Sequence, residues 1–239
     1  MIASVRTERD RVEEPGKGPR RRSRSLRRPA ALAAVPIVLL LVSTFVRQPY
    51  AIPSSSMAPT LQAGDRVLVS TTAYRFGGRP ERGDVVVFDG RGSFLPEEAG
   101  GPSGPLGLLH GAGSALGLTD PPGTEYVKRV VGIGGDRVRC CDERGRLLVN
   151  GDPVTESYLH PGDAPSAVRF DVVVPEGRLW VMGDHRSASS DSRDHLGDPG
   201  GGTVPLERVT GRVESVAWPP DRWTLLPPGR SVAKTGTHG

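Results

Sequence analysis

The 239-residue sequence predicts a mainly β body that follows a single N-terminal transmembrane helix. Glycine and proline are frequent, at 32 and 23 residues, and aromatic residues make up only 5% of the chain, a composition that suits short strands and many turns. After residue 47, short segments rich in β-branched residues alternate with turn signals, and none keeps a helical apolar period. Before residue 47, one long run carries no charge, which is typical of a membrane span.

The uncharged run predicts the position of the anchor. Pro29–Val46 spans 18 residues without a charged side chain, and as a helix it would be about 27 Å long, close to the thickness of a bilayer core. The alternative is a cleavable signal peptide, whose apolar region is roughly 7–15 residues long and ends at a small-x-small site. The run here is longer, and the segment RQPYAIP that follows offers no such site, so an uncleaved anchor at 29–46 is favoured.

The residues before the anchor predict its orientation. Residues 1–28 are polar and rich in Arg, Pro and Ser, as in a disordered tail, and Lys17–Arg28 contains seven basic residues and no acid. A basic cluster directly before an apolar run favours a cytoplasmic N-terminus and an extracytoplasmic body on a single-pass plasma-membrane protein. The alternative is a nucleic-acid-binding arm. Without this cluster the body is nearly balanced in charge, so no nucleic-acid partner is expected.

Short segments after the anchor predict the strands of a body that spans residues 47–225. Turn signals such as the Asn-Gly pair at 150–151 separate them. Residues 89–124 are rich in Gly and Pro without periodicity and are predicted as a surface insertion, and residues 226–239 as a disordered C-terminal tail. The predicted strands are 66–70, 84–88, 125–131, 137–140, 146–150, 168–174, 178–182 and 210–216.

The two cysteines, Cys140 and Cys141, are adjacent at the end of a predicted strand. A metal site needs more ligands at wider spacing. Two semi-buried cysteines that pack as small side chains are the favoured interpretation. A vicinal disulfide in an oxidising compartment is the alternative.

Ser56 is a candidate nucleophile. It lies in the run Ser-Ser-Ser-Met-Ala-Pro-Thr at 54–60, which leads directly into a predicted strand, and Pro53 and Pro59 restrict the backbone on either side. A serine nucleophile needs a fixed backbone, a nearby base and donors for the oxyanion. A serine-rich linker after an anchor is the ordinary alternative, so Ser56 alone does not establish a catalytic site.

Lys128 is a candidate general base. It lies in a predicted strand with apolar neighbours on both faces, namely Tyr126 and Val130 on its own face and Val127 and Val131 on the other. Burial disfavours the ammonium form, and a pKa lowered by about 3–4 units from about 10.4 would make the neutral base available near neutral pH. The alternative is an edge-strand lysine that only discourages aggregation.

Four stretches follow the anchor in this order: IPSSSMAPTLQAGDRVLV at 52–69, RGDVVVF at 82–88, YVKRVVGIGGDRV at 126–138 and MGDHRSASSDSR at 182–193. Together they resemble the bacterial type I signal peptidases. The resemblance covers about residues 29–220, without the tail or the 89–124 insertion. It implies a β-rich body of coiled antiparallel sheets and a membrane-bound serine endopeptidase with a Ser–Lys dyad. Such an enzyme removes signal peptides from exported preproteins after small residues, in an Ala-x-Ala pattern. It needs no metal and no cofactor, and its partners are preproteins and the lipid bilayer.

The resemblance also implies roles for single residues in the reaction. Ser56 would be the nucleophile and Lys128 the general base. Ser54 would add a hydroxyl to the oxyanion hole beside the Ser56 backbone N–H, and Ser189 would hydrogen-bond to the lysine and orient it.

Further residues would support the site or bind the substrate. Asp184 would pair with Arg129, and Asp191 with Arg193, to hold the 182–193 loop against the site. The shallow pockets for small substrate side chains would be lined by Tyr50, Ile52, Met57, Leu61, Tyr126 and Val127.

One departure from the family pattern leaves alternatives open. His185 stands where the family usually has Asn, which permits a Ser–His–Asp triad with Asp184 or Asp191. His195 is expected on a loop surface, and His110, His160 and His238 have no spacing typical of a metal site. Two other functions remain: a self-cleaving Ser–Lys protease of the repressor type, and a catalytically inactive membrane-tethered binding module.

Overall fold

The computed structural model describes residues 47–75, 77–97 and 123–229. Within these ranges it contains twelve β-strands, paired antiparallel in two sheets, so the mainly antiparallel β body expected from the sequence is confirmed. The same ranges contain no helix that is long and apolar enough to cross a membrane. The anchor predicted at 29–46 and the tail at 1–28 lie outside the described residues.

The twelve strands have the following bounds, in chain order. They are β1 (Arg47–Ala51), β2 (Arg66–Ser70), β3 (Val85–Asp89), β4 (Glu125–Ile133), β5 (Arg137–Cys140), β6 (Leu147–Val149), β7 (Asp152–Pro153), β8 (Phe170–Val173), β9 (Arg178–Met182), β10 (Val204–Pro205), β11 (Val209–Trp218) and β12 (Thr224–Leu225). The larger sheet has the order β1-β2-β11-β3-β4-β9-β10, with β12 paired to β11, and the smaller sheet has the order β7-β6-β5-β8.

Strand β4 is shared between two partners along its length. β3 pairs with Glu125–Arg129 and β9 pairs with Arg129–Ile133, with a register shift between Val130 and Gly132. Over residues 125–128, β9 therefore leaves the second edge of β4 unpaired. A strand edge with free N–H and C=O groups can accept another extended chain.

The hairpin between β6 and β7 uses the predicted Asn-Gly turn. Asn150 has φ of 56° and Gly151 has φ of 89°, so both turn residues are left-handed. This is the backbone that a two-residue hairpin turn requires, and Asn and Gly tolerate it best.

Three apolar clusters hold the body together. The first lies between the sheets, where Trp180 and Met182 of β9 meet Val138 of β5. The second contains Met57 and Leu61 from the segment that carries Ser56. The third joins β3, β4 and β9 through residues that include Val86, Phe88, Val130 and Val181.

Two segments that lacked periodicity pack against the sheet. In residues 89–97, the first part of the predicted insertion, Phe94 is only 5% exposed and contacts Phe88 and Tyr126 edge-on. At the start of the predicted C-terminal tail, Leu226 packs against the second cluster and Gly229 N–H donates to a buried Asp84 oxygen. Residues 98–122 and 230–239 lie outside the described residues.

Cys140 and Cys141 are joined by a disulfide across a cis peptide bond. The favoured interpretation of two unbonded, packed cysteines is therefore wrong, and the alternative is correct. That interpretation assumed a regular strand through both residues, in which adjacent side chains point to opposite faces. β5 instead ends at Cys140, which is buried in the first cluster.

Candidate active site

Ser56 lies on a turn that is fixed at both ends. Before it, Ile52 N–H donates to the Asp65 carbonyl over 2.8 Å, which ties the end of β1 to the start of β2. After it, Met57 is buried and its carbonyl accepts the Leu61 N–H over 2.9 Å. The Ser56 side chain itself is 8% exposed. The serine is therefore held in place by the fold, as a nucleophile requires.

Gly183 lets the 182–193 loop approach the backbone of Ser56. Two residues further on, His185 N–H donates to the Ser56 carbonyl over 3.1 Å. A Cβ on Gly183 would lie 2.5 Å from that carbonyl oxygen and would also collide with Ser189 Oγ. Only glycine fits here, because any side chain would push the loop away from the nucleophile.

Lys128 is in direct contact with Ser56. It is 4% exposed on β4, and its Nζ donates to Ser56 Oγ over 2.8 Å. The hydroxyl of the exposed Ser54 lies 3.2 Å from the same Oγ. The structure thus brings together Ser54, Ser56 and Lys128, although the lysine is 72 residues from Ser56 in sequence.

The environment of Lys128 favours its neutral form. Burial lowers its pKa from 10.5 to about 8, against the opposing charges of Asp191 and Asp184 and with help from Arg193. Both carboxylates are already hydrogen-bonded to arginines, which weakens their hold on the lysine. With such a pKa, roughly a tenth of the lysine is neutral at pH 7, far more than for a free lysine.

Arg129 and Asp184 form the expected buried ion pair. Arg129 Nε and Nη2 donate to the two carboxylate oxygens over 2.7 and 2.6 Å, and the Thr60 hydroxyl donates to the same carboxylate over 2.5 Å. Arg129 Nη1 donates to the Gly83 carbonyl, and the guanidinium lies 4.1 Å from the centre of the Tyr158 ring. Burial lowers the pKa of Arg129, but the Asp184 hydrogen bond and charge outweigh it and raise this pKa.

Asp191 holds the other end of the loop. Arg193 Nε and Nη2 each donate to its carboxylate over 2.8 Å, and Gly183 N–H donates over 3.0 Å. Burial alone would raise the pKa of Asp191. The Arg193 hydrogen bonds and charge outweigh burial and lower this pKa below its usual value, so the carboxyl stays ionised. The Ser189 hydroxyl also donates to Asp191, over 2.9 Å. In the described residues the Ser189 hydroxyl thus donates to a charged acceptor, and the bond to Lys128 that the resemblance implies stays a prediction.

Sequence analysis missed a third buried ion pair, Arg186 with Glu156. Both side chains are 2% exposed, and Arg186 also donates to the carbonyls of Gly183 and Pro165 over 2.8 and 2.6 Å. Glu156 lies in an irregular segment between β7 and β8, 30 residues from its partner, so no spacing in the sequence indicated the pair. The pair fixes the carbonyl of Gly183, the residue that contacts Ser56.

A cleft of about 240 Å³ opens beside Ser56, between the end of β1 and the start of β4. Leu61 does not line it, contrary to expectation, because the turn from Met57 carries the Leu61 side chain inward to full burial in the core. The other predicted pocket residues all line the cleft: Tyr50, Ile52, Met57, Tyr126 and Val127.

Glu125 is a further lining residue that sequence analysis did not identify. Burial and the nearby charge of Asp89 raise its pKa to about 6, and the Tyr50 hydroxyl donates to it over 3.5 Å. Its only sequence signal is its place directly before Tyr126 and Val127. Near neutral pH it adds negative charge to a cleft whose walls are largely apolar.

The contacts of His185 do not support a Ser–His–Asp triad. In the part of the chain that the structure describes, Ser56 Oγ is hydrogen-bonded to Lys128 and Ser54, and His185 reaches Ser56 only through its backbone N–H. The His185 ring instead stacks on His160, with ring centroids 3.9 Å apart. Asp163 completes a cluster with these two histidines that no sequence spacing indicated.

Comparison with known proteins gave consistent matches. The family model "Signal peptidase, peptidase S26" matches residues 26–218. The chain is 41% identical to the signal peptidase I of Mycobacterium tuberculosis strain H37Rv over 238 residues, which are 90% of this chain and 79% of that protein. It is also 41% identical to a probable signal peptidase I of Mycobacterium leprae, over 81% and 76% of the two chains. Identity to the signal peptidase I of Bacillus licheniformis is 32%, over 79% and 86%.

Proposed function

Because this chain belongs to the signal peptidase family, peptidase S26, we propose that it is a membrane-bound serine endopeptidase that removes N-terminal signal peptides from exported preproteins. In this proposal, Ser56 is the nucleophile and Lys128 the general base. The observation that carries it is the 2.8 Å contact between Lys128 Nζ and Ser56 Oγ, made by a buried lysine whose pKa is lowered to about 8.

The proposed reaction uses the dyad twice. Neutral Lys128 accepts the proton of Ser56 as Oγ attacks the scissile carbonyl, and the resulting ammonium then protonates the leaving amine. Lys128 next deprotonates a water molecule that attacks the acyl-enzyme, and Ser56 regains its proton. Acylation and deacylation each begin with the lysine neutral, which its burial favours.

The oxyanion in this reaction would be stabilised by the Ser56 backbone N–H and the Ser54 hydroxyl. The short distance between Ser54 and Ser56 Oγ, 3.2 Å, supports this role for Ser54. Donors fixed in advance at the position where charge develops lower the barrier most. Ser189, Asp191 and Gly183 would act indirectly, by holding the loop that contacts the nucleophile.

The cleft supports binding of an extended peptide with small side chains. Its walls include the edge strand β1 and the unpaired edge of residues 125–128, which offer backbone groups to a bound chain. Its volume, about 240 Å³, suits small side chains. We expect cleavage after Ala in an Ala-x-Ala sequence, and a Phe directly before the cut to block reaction by steric exclusion.

The site would face the outside of the cell. The basic cluster at 17–28 directly before the uncharged run at 29–46 supports a cytoplasmic N-terminus, a single span and an extracytoplasmic body. Protease added to intact spheroplasts should then digest the body and spare the tail. Survival of the body with loss of the tail would reverse this orientation.

A turnover assay on a preprotein tests the function. The purified full-length protein in detergent should cleave an excess of an Ala-x-Ala preprotein, whereas Ser56→Ala and Lys128→Met should not. Lys234→Met, which removes one of the two other lysines, is the matched control and should cleave normally. No cleavage by the wild-type protein would favour the inactive binding module. Processing of its own chain without turnover of added preprotein would favour the self-cleaving protease.

A further inference from the structure

Two histidines and an aspartate meet beside the loop that holds Ser56. His160, Asp163 and His185 each offer a ligand atom, and these atoms all lie within 4.8 Å of one another. The two imidazole rings are stacked at 15° to each other, and all three residues are partly buried. Imidazole nitrogen and carboxylate oxygen are ligands that Zn²⁺ favours, and a water molecule can complete the tetrahedron around three protein ligands.

The ring of His185 carries a second, independent sign of a ligand. Its Nδ1 is buried and has no hydrogen-bond partner among the residues that the structure describes. A buried polar atom without a partner destabilises a fold, so such atoms usually have a hydrogen-bond partner or a ligand. The proposed peptidase reaction does not use this ring, which leaves the orphaned nitrogen without an explanation in catalysis.

The surroundings of Asp163 suit an outer shell around a metal. Ser187 donates to its carboxylate from the backbone N–H over 3.2 Å and from the hydroxyl over 2.7 Å. These bonds orient the carboxylate and leave further lone pairs for a metal. Ligand atoms on a tetrahedral zinc are about 3.3 Å apart. The side chains therefore close on the ion by rotating their rings out of the stack.

We propose that His160, Asp163 and His185 bind one divalent transition-metal ion of the Zn²⁺ type. The ion would join two segments that support the nucleophile. His160 N–H donates to the Asp184 carbonyl over 3.0 Å, and His185 N–H donates to the Ser56 carbonyl over 3.1 Å. A metal held by both side chains therefore stiffens the backbone that positions Ser56. Its role is structural, outside the proteolytic chemistry.

Metal binding to the full-length protein in detergent tests this site, with a purification tag that contains no histidine. Isothermal titration with Zn²⁺ should give one equivalent for the wild-type protein, and Co²⁺ should give the visible absorption of a tetrahedral complex. His160→Asn and His185→Asn should each lose this equivalent. His160→Cys should restore it, with a thiolate-to-cobalt charge-transfer band. Zn²⁺ should raise the Tm of the wild-type protein and leave that of His160→Asn unchanged.

His195→Asn is the matched control. His195 is also paired with a carboxylate and stacked on an aromatic ring, but its partners are Asp198 and Phe94. This variant should bind Zn²⁺ as the wild-type protein does. Failure of the wild-type protein to bind would overturn the proposal, as would equal binding by wild type and His160→Asn. Activity of the His160→Asn variant on a preprotein confirms that it is folded, so loss of binding is read as loss of a ligand.

Discussion

Lys128 and Arg129 are adjacent on β4, and the fold treats these two buried cations in opposite ways. Arg129 has a carboxylate of its own, because Asp184 accepts two of its N–H groups. Lys128 donates to a neutral hydroxyl, that of Ser56. Burial disfavours both charges, yet the pKa of Arg129 is raised and that of Lys128 is lowered to about 8. Burial therefore does not set the charge by itself; the direct hydrogen-bond partner decides it.

Lys128 has no carboxylate of its own as a hydrogen-bond partner among the described residues, because the two nearby carboxylates are bonded to arginines. Asp184 and Asp191 both lie near enough to Lys128 to raise its pKa, but each is hydrogen-bonded to an arginine, Arg129 or Arg193. The two arginines thus have two functions. They hold the 182–193 loop in place, and they prevent the negative charge of its two carboxylates from raising the pKa of Lys128 to its usual value.

The largest expected effect comes from making position 128 resemble position 129. Lys128→Arg should lower kcat/KM for preprotein cleavage by about 10⁴-fold or more, because a guanidinium stays protonated at any working pH and cannot accept the serine proton. Steady-state cleavage of an Ala-x-Ala preprotein measures it. Arg137→Lys, on a side chain that is 63% exposed, is the control and should keep full activity. Substantial activity of Lys128→Arg would mean that position 128 supplies a charge and not a base.

The second effect comes from removing the partner of Arg129. Asp184→Asn should lower the free energy of unfolding by about 3–5 kcal/mol, because it leaves a buried guanidinium without its counter-charge. Denaturant unfolding measures the loss. Asp171→Asn is the matched control, since Asp171 pairs with Arg137 on the surface, and its loss should change stability far less than loss of the buried pair. Equal effects of the two substitutions would show that burial of the Arg129 pair adds nothing.

Removing the buried lysine should stabilise the protein, in contrast to removing Asp184, and the effect should be smaller. Lys128→Met should raise the free energy of unfolding by about 2 kcal/mol at pH 7. The lowered pKa of Lys128 means that burying its charge destabilises the folded state by at most about 3 kcal/mol, which the substitution would remove. Loss of the hydrogen bond to Ser56 offsets about 1 kcal/mol of this gain. The unfolded lysine binds its proton more tightly, so the gain should be full below pH 8 and vanish toward pH 10.5. Unfolding curves at several pH values measure it. A destabilised Lys128→Met at pH 7 would contradict the comparison.

The sequence predicted the parts of this site that follow from short-range patterns. Strands 66–70, 137–140 and 178–182 have the predicted bounds, because β-branched runs between turn residues leave few other conformations. The order of the motifs predicted that Ser56 and Lys128 act as a pair. Strands β7, β10 and β12 have two residues each and were missed, since so short a segment carries no periodicity.

The rest of the site depends on contacts that only the fold creates. Glu156 meets Arg186 from an irregular segment, and His160 meets His185 in the same way. Ser189 illustrates a subtler limit. Its place in the loop was predicted, but its hydrogen bond goes to the charged carboxylate of Asp191, a partner that the sequence did not indicate.

The last and smallest effect, a change of about tenfold per pH unit, concerns the pH dependence of catalysis. The neutral amine of Lys128 is the active form, and its pKa is lowered to about 8, so kcat/KM should rise about tenfold per unit below pH 8 and level off above it. His185→Asn should leave this inflection in place, because Ser56 Oγ contacts Lys128 Nζ and not the imidazole ring. Asp191→Asn removes a charge that raises the pKa of Lys128, so the inflection should move to lower pH. Cleavage rates at saturating and subsaturating preprotein across pH 6–10 give the profile. An inflection near the pKa of a histidine that disappears in His185→Asn would assign the base to the imidazole and remove Lys128 from that role.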